Sequence, residues 1–294
     1  MKTKFFLNLG RSAGIVMGAG YALSASAGTT SFAAQQAFSA GSNPWRAVTA
    51  DLNGDGMPDL IVANWTDGTV SVLMNTATAG ATSPSYASQQ TFPVGAGPTF
   101  VTAVDINGDG KPDLIVANSM DNTVSVLINT TAAGATTASF APQQVFAVGS
   151  YAESIAVADI NGDGLPDLVV ANYADYTISV LVNTTAQGST VPSFADQQVF
   201  PAIGGPFALR TVDLNGDGMR DIVVTEYDSN AVSVLLNTTV SGSSTVSFAA
   251  QQDFPTGNLP NSVAIADVNG DGKLDIVVAN SGDNTVSVLL NTTP

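Results

Sequence analysis

Apolar and polar positions along this chain recur in a fixed order. From Phe32 onward each cycle opens with an aromatic-Ala-x-Gln-Gln-x-Phe segment, at Phe32–Phe38, Tyr86–Phe92, Phe140–Phe146, Phe194–Phe200 and Phe248–Phe254. The two aromatics stand six residues apart, so an extended strand would turn both to one face. A Gly/Pro-rich connection follows, then a short apolar run such as Ala47–Ala50, Ile155–Ala158 or Val263–Ala266, whose two apolar faces fit a strand packed on both sides. Next comes a nine-residue acidic loop, then the β-branched run Leu60–Ala63 and its copies, Leu114–Ala117, Leu168–Ala171, Ile222–Val224 and Ile276–Ala279. A polar turn leads to a last strand, Thr69–Leu73 in the first cycle.

The acidic loops begin at Asp51, Asp105, Asp159, Asp213 and Asp267, a constant step of 54 residues. Such exact repetition marks an array of one supersecondary unit, with units 32–85, 86–139, 140–193, 194–247 and 248–294. Four short antiparallel strands per unit predict an all-β fold, a β-propeller of five four-stranded blades of 54 residues. The Trp-Asp and Gly-His pairs of WD40 blades are missing. If the aromatic segment is the outer, fourth strand of a blade, Phe32–Phe38 is expected to pair with the C-terminal blade and close the ring, leaving no free edge.

Composition modifies this picture at the N-terminus first. Lys2, Lys4 and Arg11 accompany the apolar run Ala13–Leu23, and Ala25-Ser26-Ala27 offers a small-residue cleavage site. Residues 1–27 therefore read as a secretory signal peptide, leaving 28–294 as one domain that is secreted, periplasmic or in the cell envelope. No run reaches the roughly 20 apolar residues of a membrane helix, so no span is expected in the mature chain. Eight Lys+Arg against 24 Asp+Glu give a formal net charge of −16, and cleavage takes it to −19. Nucleic acid is thereby disfavoured as a partner. With no Cys, disulfides cannot brace an exported fold, and with no His the commonest general base is gone.

The acidic loops supply a substitute brace. Asp51, Asn53, Asp55 and Asp59 offer hard side-chain oxygens at positions 1, 3, 5 and 9, with the Met57 carbonyl as a further donor, and this set suits Ca²⁺. The same positions recur as Asp105, Asn107, Asp109, Lys111 and Asp113; as Asp159, Asn161, Asp163, Leu165 and Asp167; as Asp213, Asn215, Asp217, Met219 and Asp221; and as Asp267, Asn269, Asp271, Lys273 and Asp275. Gly54 and Gly56 permit a partly left-handed path around an ion. An EF-hand is excluded by the acid at position 9, the missing Glu at 12 and strand-like flanks. About five Ca²⁺ ions, one per repeat, are expected, and they would relieve the repulsion among fifteen of the 24 acidic residues.

These loops between apolar strands resemble the FG-GAP/VCBS repeat family, including the calcium-loop blades of integrin α-subunit propellers, over about residues 32–294. The resemblance implies a propeller with Ca²⁺ in the loop joining the first and second strands of each blade. The family usually closes with seven blades, whereas this chain holds five units.

In a blade, the turn between strands two and three and the connection to the next blade share the rim opposite the acidic loops. There the repeats diverge. The turns hold Trp65, Tyr173, Tyr176 and Tyr227, and the connections hold Trp45, Phe100, Tyr151 and Phe207. Aromatics beside Asp and Asn make these eight the candidate ligand residues for an extracellular carbohydrate or protein, with ordinary polar turns as the plainer alternative. Arg210, the one charge expected in the innermost runs, is predicted to line the central channel near Glu153 or Glu226. Asn-Thr-Thr at 129, 183, 237 and 291 matches a glycosylation sequon, but its recurrence is explained more simply by strand termination. The leading function is a binding or adhesion module and not an enzyme. A two-carboxylate hydrolase or lyase and a purely structural envelope protein are the alternatives.

Overall fold

The β-branched runs form strands with apolar residues on both faces, and polar residues end them. In the computed structural model, which describes residues 32–293, the first sheet is antiparallel, with β1 (Pro44–Ala50), β2 (Asp59–Asn64), β3 (Thr69–Leu73) and β4 (Gln90–Pro93) in sequential order. The second holds β5 (Pro98–Val104), β6 (Asp113–Asn118), β7 (Thr123–Leu127) and β8 (Gln144–Ala147). In the third are β9 (Ala152–Ala158), β10 (Asp167–Asn172), β11 (Thr177–Leu181) and β12 (Gln198–Pro201). The fourth has β13 (Pro206–Val212), β14 (Asp221–Glu226), β15 (Ala231–Leu235) and β16 (Gln252–Pro255), and the fifth β17 (Pro260–Ala266), β18 (Asp275–Asn280) and β19 (Thr285–Leu289). All lie within the unit Gln36–Pro294. The expected signal peptide falls outside the described residues.

The core is a series of sheet-on-sheet seams. Leu52, Ile61, Ala63, Val70, Val72 and Met74 of the first sheet pack on Val101, Leu114, Val116 and Leu127 of the second. Equivalent clusters join the second sheet to the third, the third to the fourth and the fourth to the fifth. Burying each such aliphatic side chain contributes about 1.5–3 kcal/mol. Edge-to-face aromatic pairs cross the same seams, Phe92–Phe140, Phe146–Phe194 and Phe200–Phe248, with centroids 4.8–4.9 Å apart.

Two expectations are corrected here. The aromatic-Gln-Gln segment is not one strand with both aromatics on one face. Only its second half is a strand, as in β4, while Tyr86 makes an isolated bridge to Asn75. Gln89 lies between them and donates through Nε2 to Ser71 Oγ at 2.6 Å, so Phe92 meets Phe140 in the next unit while Tyr86 meets Phe38 in the preceding one. Second, residues 32–41 form no strand, and the fifth sheet has three strands rather than four. Ring closure by N-terminal strand pairing is thus not seen among the described residues. On the fifth sheet Val268, Val286, Val288 and Leu290, the counterparts of buried Leu52, Val70, Val72 and Met74, are 49–62% exposed.

Candidate functional site

Each acidic loop joins the first strand of its sheet to the second, as expected. Gly54 and Gly56 adopt φ of 70° and 83°, a path that brings the loop's N–H groups inward to the carboxylates. Asp51 Oδ1 accepts from the Gly54 and Asp55 N–H groups, its Oδ2 from Gly56, and Asp55 Oδ1 from Met57. The other loops repeat this pattern closely, as at Asp159 and Asp267. Backbone N–H groups, that of Gly272 foremost, hold Asp267 below the usual carboxylate range.

The ninth-position aspartate does more than sequence reasoning assigned to it. Asp59 is fully buried; one oxygen accepts from Leu52 N–H (2.9 Å) and the other from Asn75 N–H (2.7 Å), which latches the loop to the exit of β3. Burial pushes Asp113 and Asp167 up to about 6, against the lowering effect of these same backbone donors. Among the described residues no three acidic side chains form a ready-made metal cage. The donor chemistry nevertheless fits Ca²⁺: each loop carries three carboxylates and an amide oxygen, all of them hard donors.

The Asn-Thr-Thr motif is an interblade clamp. Asn183 Nδ2 donates to the Ile106 carbonyl of the preceding blade's loop at 2.9 Å and to Pro166 O at 3.1 Å, and its Oδ1 accepts from Thr185 N–H at 2.8 Å. Asn129 and Asn237 repeat this geometry and, like Asn183, are buried, a setting unsuited to glycan addition. Loop position 3 clamps in the other direction: Asn161 Nδ2 donates to Ser243 O, while Gly242 N–H donates to Asn161 O.

The opposite rim is where the connections and turns meet. Trp65 N–H donates to Asn43 O and Tyr173 N–H to Tyr151 O, while turn aspartates Asp67, Asp121 and Asp175 accept from Ser42, Ala96 and Ser150. In the fourth unit this aspartate's place is taken by Ser229, whose Oγ donates to Ile203 O. Asp228 is thereby released, and it accepts from the hydroxyls of Tyr173 (3.3 Å) and Tyr176 (3.2 Å). Around this carboxylate Phe207 stacks on Tyr227 at 5.3 Å, and Tyr173 touches Tyr151, Phe207 and Tyr227 at 5.9–6.3 Å. A Cβ on Gly205 would come within 2.4 Å of the Tyr173 ring, so that glycine makes room for the cluster.

Five of the eight candidate ligand residues thus form one patch on the third and fourth units. Trp45 and Trp65 form a separate tilted pair, 6.4 Å apart. Phe100 is buried and lines the pocket at the inner strands, with the Arg46 guanidinium 3.9 Å above its ring. Asp228 was not singled out, although the order Tyr-Asp-Ser-Asn, against Tyr-Ala-Asp-Tyr one repeat earlier, carries its signal. Tyr151 and Tyr176 hold φ of 60° and 54°, a left-handed backbone shared by Asn43, Gly97 and Leu259 at the first position and by Gly68, Asn122, Asn230 and Asn284 at the second.

Arg210 and Glu153 do line one pocket of ≈ 240 Å³, to which the first strands of all five sheets contribute. Glu226 does not share it. It is fully buried at the end of β14, where sister repeats place Asn64, Asn118, Asn172 and Asn280; Oε2 accepts from Gly204 N–H, and Oε1 has no partner. Burial pushes it to about 7 from 4.5. An acid raised in this way contributes fully below pH 4.5, and its contribution is lost as pH rises through about 7. Glu226→Gln is therefore expected to raise stability at pH 8 by about 3 kcal/mol. Chemical denaturation should show this gain shrinking to nothing below pH 4.5; a gain independent of pH would refute the assignment.

Antiparallel sheets whose inner strands surround a common pocket, each with an acidic loop after its first strand, define a β-propeller fold. A family model for the FG-GAP-like repeat matches residues 17–62, 51–116, 105–170, 159–224 and 213–278. The chain belongs to the FG-GAP-like repeat family. It is 30% identical over 134 residues to a T-cell immunomodulatory protein homolog of Plasmodium falciparum, a match covering 42% of this chain and 18% of that protein's length. Among solved structures, a protein provisionally assigned as a 6-phosphogluconolactonase from Bacteroides fragilis superposes with a TM-score of 0.56 at 16% identity, covering 84% of this chain and 74% of that one, a likeness of fold alone. The V. cholerae biofilm matrix protein Bap1 gives 0.45 at 17% identity, over 86% of this chain and 38% of its own. FG-GAP repeat proteins bind protein ligands. No helix among the described residues is long and apolar enough to cross a membrane.

Proposed function

We propose that this chain is an exported binding module, braced by one Ca²⁺ per acidic loop, that engages a protein ligand through the rim opposite those loops. The observation that carries the reading is the Tyr151, Tyr173, Tyr176, Phe207 and Tyr227 patch around Asp228, where repeats that otherwise copy one another depart together. Two of its tyrosines keep a left-handed backbone that costs about 1–2 kcal/mol each. When bound, the ion would supply positive charge to Asp51, Asn53, Asp55, Asp59 and the Met57 carbonyl, and to their copies. The chain's own N–H groups already orient the first and fifth of these positions. In the axial pocket Glu153 is the one carboxyl among the lining residues, which favours binding over paired-carboxylate hydrolysis.

The test uses peptides selected from a random display library on the purified chain. Tyr176→Gly is expected to weaken the selected peptides about tenfold while leaving stability unchanged or higher by up to about 1 kcal/mol. Equal binding by Tyr176→Gly and Tyr173→Ala would move recognition elsewhere.

A further inference from the structure

After the predicted cleavage site the chain keeps five cationic side chains: Arg46, Lys111, Arg210, Arg220 and Lys273. Three stand in acidic loops, and two of those, Lys111 and Lys273, donate to the carbonyls of Thr131 and Thr293 in their own blades. The remaining two are Arg46 on β1 and Arg210 on β13. They come from the first and fourth sheets, and they line the same pocket.

Neither is a feature of the repeat. At the place of Arg46 the other units carry Phe100, Ser154, Ala208 and Ser262; at that of Arg210 they carry Val48, Thr102, Ala156 and Ala264. Bringing two guanidinium groups together in a partly desolvated pocket is unfavourable, and burial together with the nearby Arg210 charge holds Arg46 below its ordinary range. Each is held in place by the fold, Arg46 over the Phe100 ring and Arg210 through Nη1 to the Leu209 carbonyl at 2.7 Å. Trp45 and Phe207 supply apolar walls, and Asn261 and Ser262 supply neutral polar groups. In a chain with a threefold excess of acids, this is a built cationic site.

We propose that this pocket seats the side-chain carboxylate of an acidic residue in the protein ligand, with Arg46 and Arg210 as its anchors. The proposal rests on the binding-module reading and adds the chemistry the ligand must present. A planar carboxylate suits the guanidinium fork. Glu153 is the third charged group lining the pocket, and burial pushes it up to about 7.

The experiment follows tryptophan fluorescence, since Trp45 lines the pocket and Trp65 is the chain's other tryptophan. The purified chain is titrated with acetyl-Gly-Glu-Gly-amide, with its Gln counterpart and with glucuronate. Saturable binding of the Glu peptide is expected, with the Gln peptide and glucuronate about tenfold weaker or worse. Arg46→Gln and Arg210→Gln should each lose about tenfold at a melting midpoint that is unchanged or raised, since each relieves the repulsion between the two guanidinium groups. Equal binding of the Glu and Gln peptides, or full affinity in both arginine variants, overturns the proposal; tighter binding of glucuronate overturns the assignment to a peptide. If peptides selected on the chain depend on Tyr173 and Tyr176 while both arginine variants bind normally, the rim reading stands and this one fails. Loss of both dependences removes the two together.

Discussion

Stripping calcium with excess chelator is expected to lower the melting midpoint by roughly 30–50 °C. At a hundredfold excess over Kd each occupied site stabilises the folded state by about 2.7 kcal/mol, and for a chain of this size 1 kcal/mol shifts the midpoint by about 2–4 °C. Five loops acting together give the predicted scale. The physical cause is local: Asp51, Asp55 and Asp59 lie on nine residues, and burial with neighbouring like charges already raises Asp59. An ion removes that repulsion. Magnesium should restore little of the loss, since the backbone and amide donors of such loops suit the larger, more flexible Ca²⁺ shell. A midpoint indifferent to chelator would contradict the calcium assignment.

The second large effect belongs to the interblade clamp. Asn183→Ala removes three hydrogen bonds and leaves the buried Thr185 N–H and Ile106 carbonyl without partners. About 3 kcal/mol is the expected cost, or about 6–12 °C of midpoint. Asn75→Ala is the control, because Asn75 bonds Pro58 O and Ala77 N–H within its own blade and no carbonyl of a preceding one. It should cost at least about 1 kcal/mol less. Parallel urea titrations decide the matter, and equal losses would show that the interblade bond contributes nothing. In an array held by neighbour contacts, Asn183→Ala should also broaden the transition as the sheets on either side uncouple.

Much of this architecture is legible in the sequence. The strand Thr69–Leu73 was readable to the residue, and the loop between first and second strands was readable from its glycines and acids. What escaped was cooperation between units. The clamp formed by Asn183 and Ile106 joins residues 77 positions apart, so the local pattern Asn-Thr-Thr looks like a strand end or a sequon. Likewise the aromatic-Gln-Gln segment reads as one strand because period alone cannot show Gln89 turning inward to Ser71. The rim aromatics were visible as divergence between repeats, but Asp228 and Gly205 acquire meaning only through the ring of Tyr173. Nothing local shows Arg46 covering Phe100 either. Among the described residues β19 has no outer partner, and counting units in the sequence shows how many outer strands to expect but not whether each finds its place.

Hydrogen exchange on the calcium-loaded chain, with and without a selected peptide, tests the division between brace and recognition most directly. The account predicts new protection in the backbone at 149–153, 173–177, 205–210 and 226–229, with the acidic loops at 51–59, 105–113, 159–167, 213–221 and 267–275 unchanged. Peptide-dependent protection confined to the acidic loops would contradict it.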